Sequence, residues 1–122
     1  MNRRVCKLLG ILLACAITFA PHVSRAAPYA PLDCRKAATP AEKTVCGNYG
    51  LGQDEARLAT LFSVLTSLVA MGQRSDLTDA QRKWVSVRDA CGGDAGCLAR
   101  AYQARINELS QALDTLAKRG PF

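Results

Sequence analysis

Residues 54–69, DEARLATLFSVLTSLV, carry the pattern that decides the fold. Leu58, Leu61, Phe62, Leu65, Leu68 and Val69 fall at i, i+3, i+4, i+7, i+10 and i+11. That spacing draws one apolar stripe along a helix. Asp54 stands before it as an N-cap and Gly72 after it as a stop. A stripe of this length must be covered by other helices, so the flanking sequence is read for them.

Towards the C-terminus, Thr78-Asp79-Ala80-Gln81 has the form of a capping box. It predicts a helix to about Cys91 with Ala80, Trp84, Val87 and Cys91 on one face, stopped by Gly92-Gly93. A last helix runs from near Asp94 to about Lys118. Cys97 or Leu98, then Ala101, Tyr102, Ile106, Leu109, Leu113 and Leu116 form its stripe, and Lys118, Arg119 and Gly120-Pro121 end it with cations and breakers. Towards the N-terminus, Thr39-Pro40-Ala41-Glu42 starts a short helix, with Thr as cap and Pro at the first helical position. The run Cys46–Gly52 holds three glycines and breaks it. No segment alternates as a strand does. The expectation is an all-α, small antiparallel helical bundle of one short and three longer helices over residues 33–119. Residues 27–32, with Pro28 and Pro31, read as a linker.

The first 26 residues read as an address. Met1–Lys7 is basic, Leu8–Ala20 is a 13-residue apolar run, and Ser24 and Ala26 are small residues at cleavage spacing. This is the layout of a secretory signal peptide, and 13 residues are too few to span a membrane, which takes about 20. Cleavage is expected after Ala26, with a periplasmic or secreted product. The alternative is a lipoprotein: Leu12-Leu13-Ala14-Cys15 resembles a lipobox, with a lipid anchor at Cys15. The polar tether expected after such a cysteine is missing, because the apolar run continues to Ala20.

Removing this segment changes the charge. The whole chain is +6, but four of its 16 basic residues (Arg3, Arg4, Lys7, Arg25) precede residue 27, leaving 12 basic against 10 acidic, 12 − 10 = +2. Neither that balance nor an aromatic content of 6% suits a nucleic-acid binder built on stacking. Cleavage also removes His22, the one histidine of the chain, which excludes a His-based triad or a His zinc site downstream.

Four cysteines remain: Cys34, Cys46, Cys91 and Cys97. An even count in a short exported chain reads as two disulfides. Three pairings exist. The local one, Cys34–Cys46 with Cys91–Cys97, is favoured because Cys91-Gly-Gly-Asp-Ala-Gly-Cys97 reads as a turn that brings its ends together. The spacings do not suit zinc, and no metal or cofactor is expected. No phosphate loop, dinucleotide fingerprint or base-activated hydroxyl is present. The carboxylate pairs Asp54/Glu55 and Asp76/Asp79 fall at predicted helix starts, where their role is capping. The reading is a binding module rather than an enzyme.

Several segments together resemble a known family. They are Asp33-Cys34, Thr39-Pro40-Ala41-Glu42-Lys43 and Val45-Cys46; Gln81-Arg82-Lys83-Trp84 with Arg88-Asp89-Ala90-Cys91; and Cys97-Leu98, Ala101-Tyr102 and Arg105-Ile106-Asn107-Glu108-Leu109. This pattern is similar to the bacterial LprI-type lysozyme inhibitors, over about Asp33–Leu109. Asp54-Glu55 stands where the family carries Leu-Asp, and Leu61-Phe62 where it carries Leu-Tyr. The glycine-rich Asn48–Gln53 replaces its usual Asp-Pro-Glu. The resemblance implies an exported envelope domain that blocks a lysozyme through protein–protein contact. The rival expectation is an envelope interaction protein without lysozyme activity. Against a basic lysozyme, Asp76, Asp79, Asp89 and Asp94 are the expected acidic contacts. Arg88, Asp89 and Arg105 are expected either to tie the last two helices together or to face the partner. Trp84 and Tyr102 are expected in the core.

Overall fold

The computed structural model describes Tyr29 and residues 31–120. The signal peptide, its cleavage site and Cys15 lie outside the described residues. Four α-helices follow a 3-10 turn at Cys34–Lys36: α1 (Pro40–Gly47), α2 (Tyr49–Leu68), α3 (Met71–Ala90) and α4 (Ala95–Ala117). No strand occurs among the described residues.

α1 starts as its sequence requires. The Thr39 hydroxyl accepts from the Glu42 amide at 3.1 Å, and the Glu42 carboxylate accepts from the Thr39 amide at 3.0 Å. Pro40 occupies the first position, where no amide proton is needed.

α2 begins six residues earlier than the Asp54 cap predicts. Asn48 leaves helical geometry (φ −119°, ψ 116°), and its side chain accepts from the Leu51 amide at 3.1 Å. Gly50 and Gly52 therefore lie inside the helix. Each costs about 1 kcal/mol against alanine, offset by the Asn48 cap and by burial of Leu51.

α3 also begins earlier than predicted. It starts at Met71, so Gly72 sits in its first turn and Asp76, Thr78 and Asp79 lie in its interior. The Thr78 hydroxyl donates back to the Arg74 carbonyl at 2.8 Å, the usual outlet for a threonine within a helix. Thr78–Gln81 is therefore not a capping box. Val87, predicted on the packed face, is 60% exposed. The buried face is Thr78, Gln81, Trp84 and Arg88, three polar residues around one aromatic.

The α3–α4 junction matches its prediction. Gly92 turns the chain at φ +55°, a conformation that favours glycine. Asp94 then caps α4 by accepting from the Cys97 amide at 2.8 Å. The disulfides are Cys34–Cys46, fastening the 3-10 turn to the end of α1, and Cys91–Cys97, closing the α3–α4 hinge.

Consecutive long helices run antiparallel, since Gln81 meets Arg105 and Trp84 meets Ala101. α2 and α4, the most closely packed pair, therefore run parallel: Glu55 meets Tyr102, and Leu65 and Val69 share a cleft with Ala112 and Leu116. Leu58, Phe62 and Leu65 of α2 interlock with Leu98, Tyr102, Ile106 and Leu109 of α4, and Ala41 and Val45 of α1 close one end. The segment read as a linker joins this core through Tyr29 and Leu32.

Candidate functional site

The most concentrated polar chemistry lies inside the bundle, around Glu55. Its turn of α2 is placed by the Asn48 cap, which aligns Leu51, Glu55, Leu58, Phe62 and Leu65 on the buried face. The Glu55 carboxylate accepts from the Tyr102 hydroxyl at 2.6 Å, from the Tyr29 hydroxyl at 2.7 and 2.8 Å, and from the Leu32 amide at 3.0 Å. Three donors and no acceptor converge on it, the environment of a carboxylate anion. Burial, then the bond and charge of Glu55, push both the Tyr29 and Tyr102 hydroxyls well above the ordinary phenol range.

Aromatic rings wall this cluster. Trp84 and Tyr102 meet edge to face at 5.1 Å, and Tyr29 packs edge-on against both Phe62 and Trp84. The indole nitrogen of Trp84 donates to the Ala101 carbonyl at 3.1 Å. Both Trp84 and Tyr102 are core, as expected.

Arg88, 4% exposed, completes the set. Its guanidinium lies 5.8 Å from the Trp84 ring centroid, donates to Asp89 at 2.8 and 2.9 Å, and stands 3.9 Å from Glu42 of α1. Burial opposes its charge, but the bond to Asp89 and the Asp89 charge raise it above the ordinary guanidinium range.

Arg105 is buried separately. It bonds Gln81 of α3 at 3.0 Å and Glu108 of its own helix at 2.7 Å. Arg88 and Arg105 thus each tie helices together, but through different partners: Arg88 joins α3 towards α1, and Arg105 joins α4 to α3.

The acidic residues do not gather into one patch. Asp76 and Asp79 are exposed on the first half of α3, and Asp79 pairs with Arg82 at 2.7 Å. Asp89 is engaged by Arg88, and Asp94 caps α4. Asp89 stands thirteen positions after Asp76 in α3, about 20 Å along the axis at ~1.5 Å per residue.

Glu55, read from the sequence as a capping acid, is instead a buried residue in the interior of α2, and Gln81, read as closing a capping box, is a buried residue in the interior of α3. Tyr29 was passed over. Glu55 had a readable signal: it stands three before Leu58 and seven before Phe62, an acid on an apolar stripe. Tyr29 had none, because it lies in a segment without periodicity.

The surface carries one further feature. Tyr49 at the start of α2 is 85% exposed, beside a cleft of about 340 Å³ walled by Pro31, Leu32, Val45, the Cys34–Cys46 bridge and Ala56. Among the described residues no cluster of three or more His, Cys, Asp or Glu has the arrangement to hold a metal ion, and no helix is long and apolar enough to cross a membrane.

The model of the lysozyme inhibitor LprI family matches residues 34–109, from the first cysteine of the domain to Leu109. The chain belongs to this LprI family. The match covers both disulfides, Glu55, the Trp84–Tyr102 contact and both buried arginines. No curated protein and no solved structure matches the chain. The LprI family is named for inhibition, and two disulfides in so small a domain suit an oxidising compartment outside the cytoplasm.

Proposed function

We propose that this LprI-family protein is an exported, non-catalytic binding module that inhibits a lysozyme-type muramidase by protein–protein contact. The observation that carries the reading is the family match over residues 34–109. A bundle pinned by two disulfides and by the Glu55 cluster presents its outer residues on a fixed frame, which lowers the ordering cost of binding. Of the acidic residues expected to face a basic enzyme, Asp76 and Asp79 on α3 and Asp94 at the hinge are exposed. With Arg88 and Arg105 buried, the proposed interface excludes both. The signal peptide ends at Ala26 in this reading, and the product acts in the periplasm or outside the cell.

A titration of muramidase activity with the oxidised chain from Ala27 tests the proposal. Stoichiometric inhibition of a chicken-type or goose-type lysozyme, weakened by Asn at positions 76, 79, 89 and 94 together, is the expected result. Absence of inhibition of both enzymes sinks it. A second reading, an envelope interaction protein without lysozyme activity, is favoured by one observation. The 12 basic and 10 acidic residues after position 26 give the chain no overall attraction to a basic enzyme. Capture of an exported protein by a chain that leaves lysozyme active supports that reading.

A further inference from the structure

The two disulfides are placed differently. Cys34 is exposed, in a 3-10 turn with no buried residue, and both Cys34 and Cys46 line the cleft of about 340 Å³ beside Tyr49. A thiol can approach the bridge from that cleft. Cys91 and Cys97 are half-buried, and Cys91 packs against the core. The Asp94 carboxylate accepts from the Cys97 amide at 2.8 Å, and the Asp94 amide donates to the Cys91 carbonyl at 3.1 Å. These bonds keep the hinge cysteines together whether or not their sulfurs are joined.

The Cys34–Cys46 bridge lacks such support. The hydrogen bonds of its turn are internal to it: Asp33 accepts from the Arg35 amide at 3.1 Å and from the Lys36 amide at 2.8 Å. Apart from the bridge, Glu55 is what bonds this arm of chain to the long helices. It accepts from the Tyr29 hydroxyl at 2.7 Å and the Leu32 amide at 3.0 Å, and Tyr29 packs on Phe62 and Trp84. Fixing each residue of an arm costs about 1–2 kcal/mol of backbone entropy. With the bridge closed, the turn is already held beside α1, and only the residues before Cys34 need ordering. With it open, the whole arm before the Thr39 cap must be ordered by the Glu55 contacts alone.

The charges favour opening. Arg35 and Lys36 follow Cys34 and share the one carboxylate of Asp33, at 3.0 and 3.9 Å. One positive charge on the turn is left over. It stabilises a thiolate at Cys34 and so favours the departure of that sulfur.

We propose that Cys34–Cys46 is a reducible latch, opened by a dithiol while Cys91–Cys97 stays closed, and that its opening frees the arm carrying Tyr29 and Leu32 from Glu55. A thiolate of the dithiol bonds the Cys46 sulfur, the bridge breaks, and Cys34 leaves with the electron pair. The second thiol then displaces Cys46. The bridge gains two electrons and two protons, and the dithiol is oxidised to its own disulfide. Closure of the arm over Glu55 thus follows the thiol–disulfide poise of the compartment, whatever partner the outer surface meets.

The test treats the oxidised protein with dithiothreitol under native conditions, traps thiols with iodoacetamide at intervals and locates them by peptide mass spectrometry. Cys34 and Cys46 are expected to be trapped roughly tenfold faster than Cys91 and Cys97, or more. Trypsin should then cut after Arg35 and Lys36 much faster than in the oxidised protein, while helical circular dichroism is kept. Cys34→Ser/Cys46→Ser should be cut equally fast with and without dithiothreitol. Trapping of the hinge cysteines first, or of all four together, overturns the proposal. Opening of Cys34–Cys46 that leaves trypsin cleavage unchanged, or that abolishes the helical signal, overturns it as well.

Discussion

Tyr102 of α4 donates its hydroxyl to the Glu55 carboxylate of α2 at 2.6 Å, across 47 positions of sequence. This bond fixes the parallel register of the two helices that pack most closely, and Tyr29 closes the same carboxylate from the other side. Replacing Glu55 by Gln sets an NH2 group against hydroxyl and amide donors that now lack an acceptor. A buried bond to a charged group contributes about 1.5–3 kcal/mol, so Glu55→Gln is expected to lose roughly that in urea unfolding. Tyr102→Phe removes one donor and keeps the ring, and it should lose less than Glu55→Gln. A Glu55→Gln midpoint equal to that of wild type would show that the cluster contributes nothing.

Alkali should unfold the protein through the same cluster. Burial first, then the bond and charge of Glu55, raise the Tyr29 and Tyr102 hydroxyls above their ordinary value of 10.0. A group whose pKa is raised by folding contributes stability that is fully present below its unfolded value. That contribution is lost as the pH rises through the folded value. Stability should therefore hold to about pH 10 and fall above it. In a Tyr49→Phe background only the two clustered phenols remain among the described residues, and their absorbance at 295 nm should rise together with loss of helical circular dichroism. Tyrosinate appearing while the helices stay intact contradicts the prediction.

The disulfides should differ in weight. Cys34–Cys46 spans 12 positions and Cys91–Cys97 spans six. On the chain-entropy model these loops are worth about 3 and about 2.4 kcal/mol. The hinge is also held by the Asp94 cap and the turn at Gly92, so its junction keeps hydrogen bonds when the sulfurs are gone. Double alanine variants at each bridge, compared by urea midpoint, should show the Cys34/Cys46 loss as the larger. The reverse order would mean that the hinge depends on its bridge beyond loop closure.

The all-α class, the α1 cap, the start of α4 near Asp94 and the Cys91–Cys97 pairing were legible because each rests on contacts within a few residues. The apolar stripes of α2 and α4 were legible for the same reason. What could not be read was decided by tertiary contacts. Val87 satisfies a helical period, yet α3 buries Gln81 and Arg88: Arg105 of α4 reaches the Gln81 amide oxygen across the helix pair, and the neighbouring Asp89 pairs with Arg88. Glu55 sits on an apolar stripe, but its three donors arrive from residues 29, 32 and 102. The acidic residues read as one candidate contact surface were separated by the length of α3, which grew when Thr78 proved to be interior.

The misplaced helix starts give the last prediction. Asn48, not Asp54, supplies the acceptor for the first turn of α2. Asn48→Ala should lose about 1 kcal/mol, the usual cost of removing a cap. Asp54 instead accepts from Gln103 at 2.9 Å in an exposed position, where substitution falls within about 0.5 kcal/mol. Thr78→Val provides the matching control on α3. Its hydroxyl serves only the Arg74 carbonyl one turn back, already engaged within the helix, so no helix start is lost with it. Equilibrium unfolding of the three variants should order them with Asn48→Ala clearly the least stable. A loss at Asp54→Ala exceeding that at Asn48→Ala would return the start of α2 to Asp54 and remove Gly50 and Gly52 from the helix.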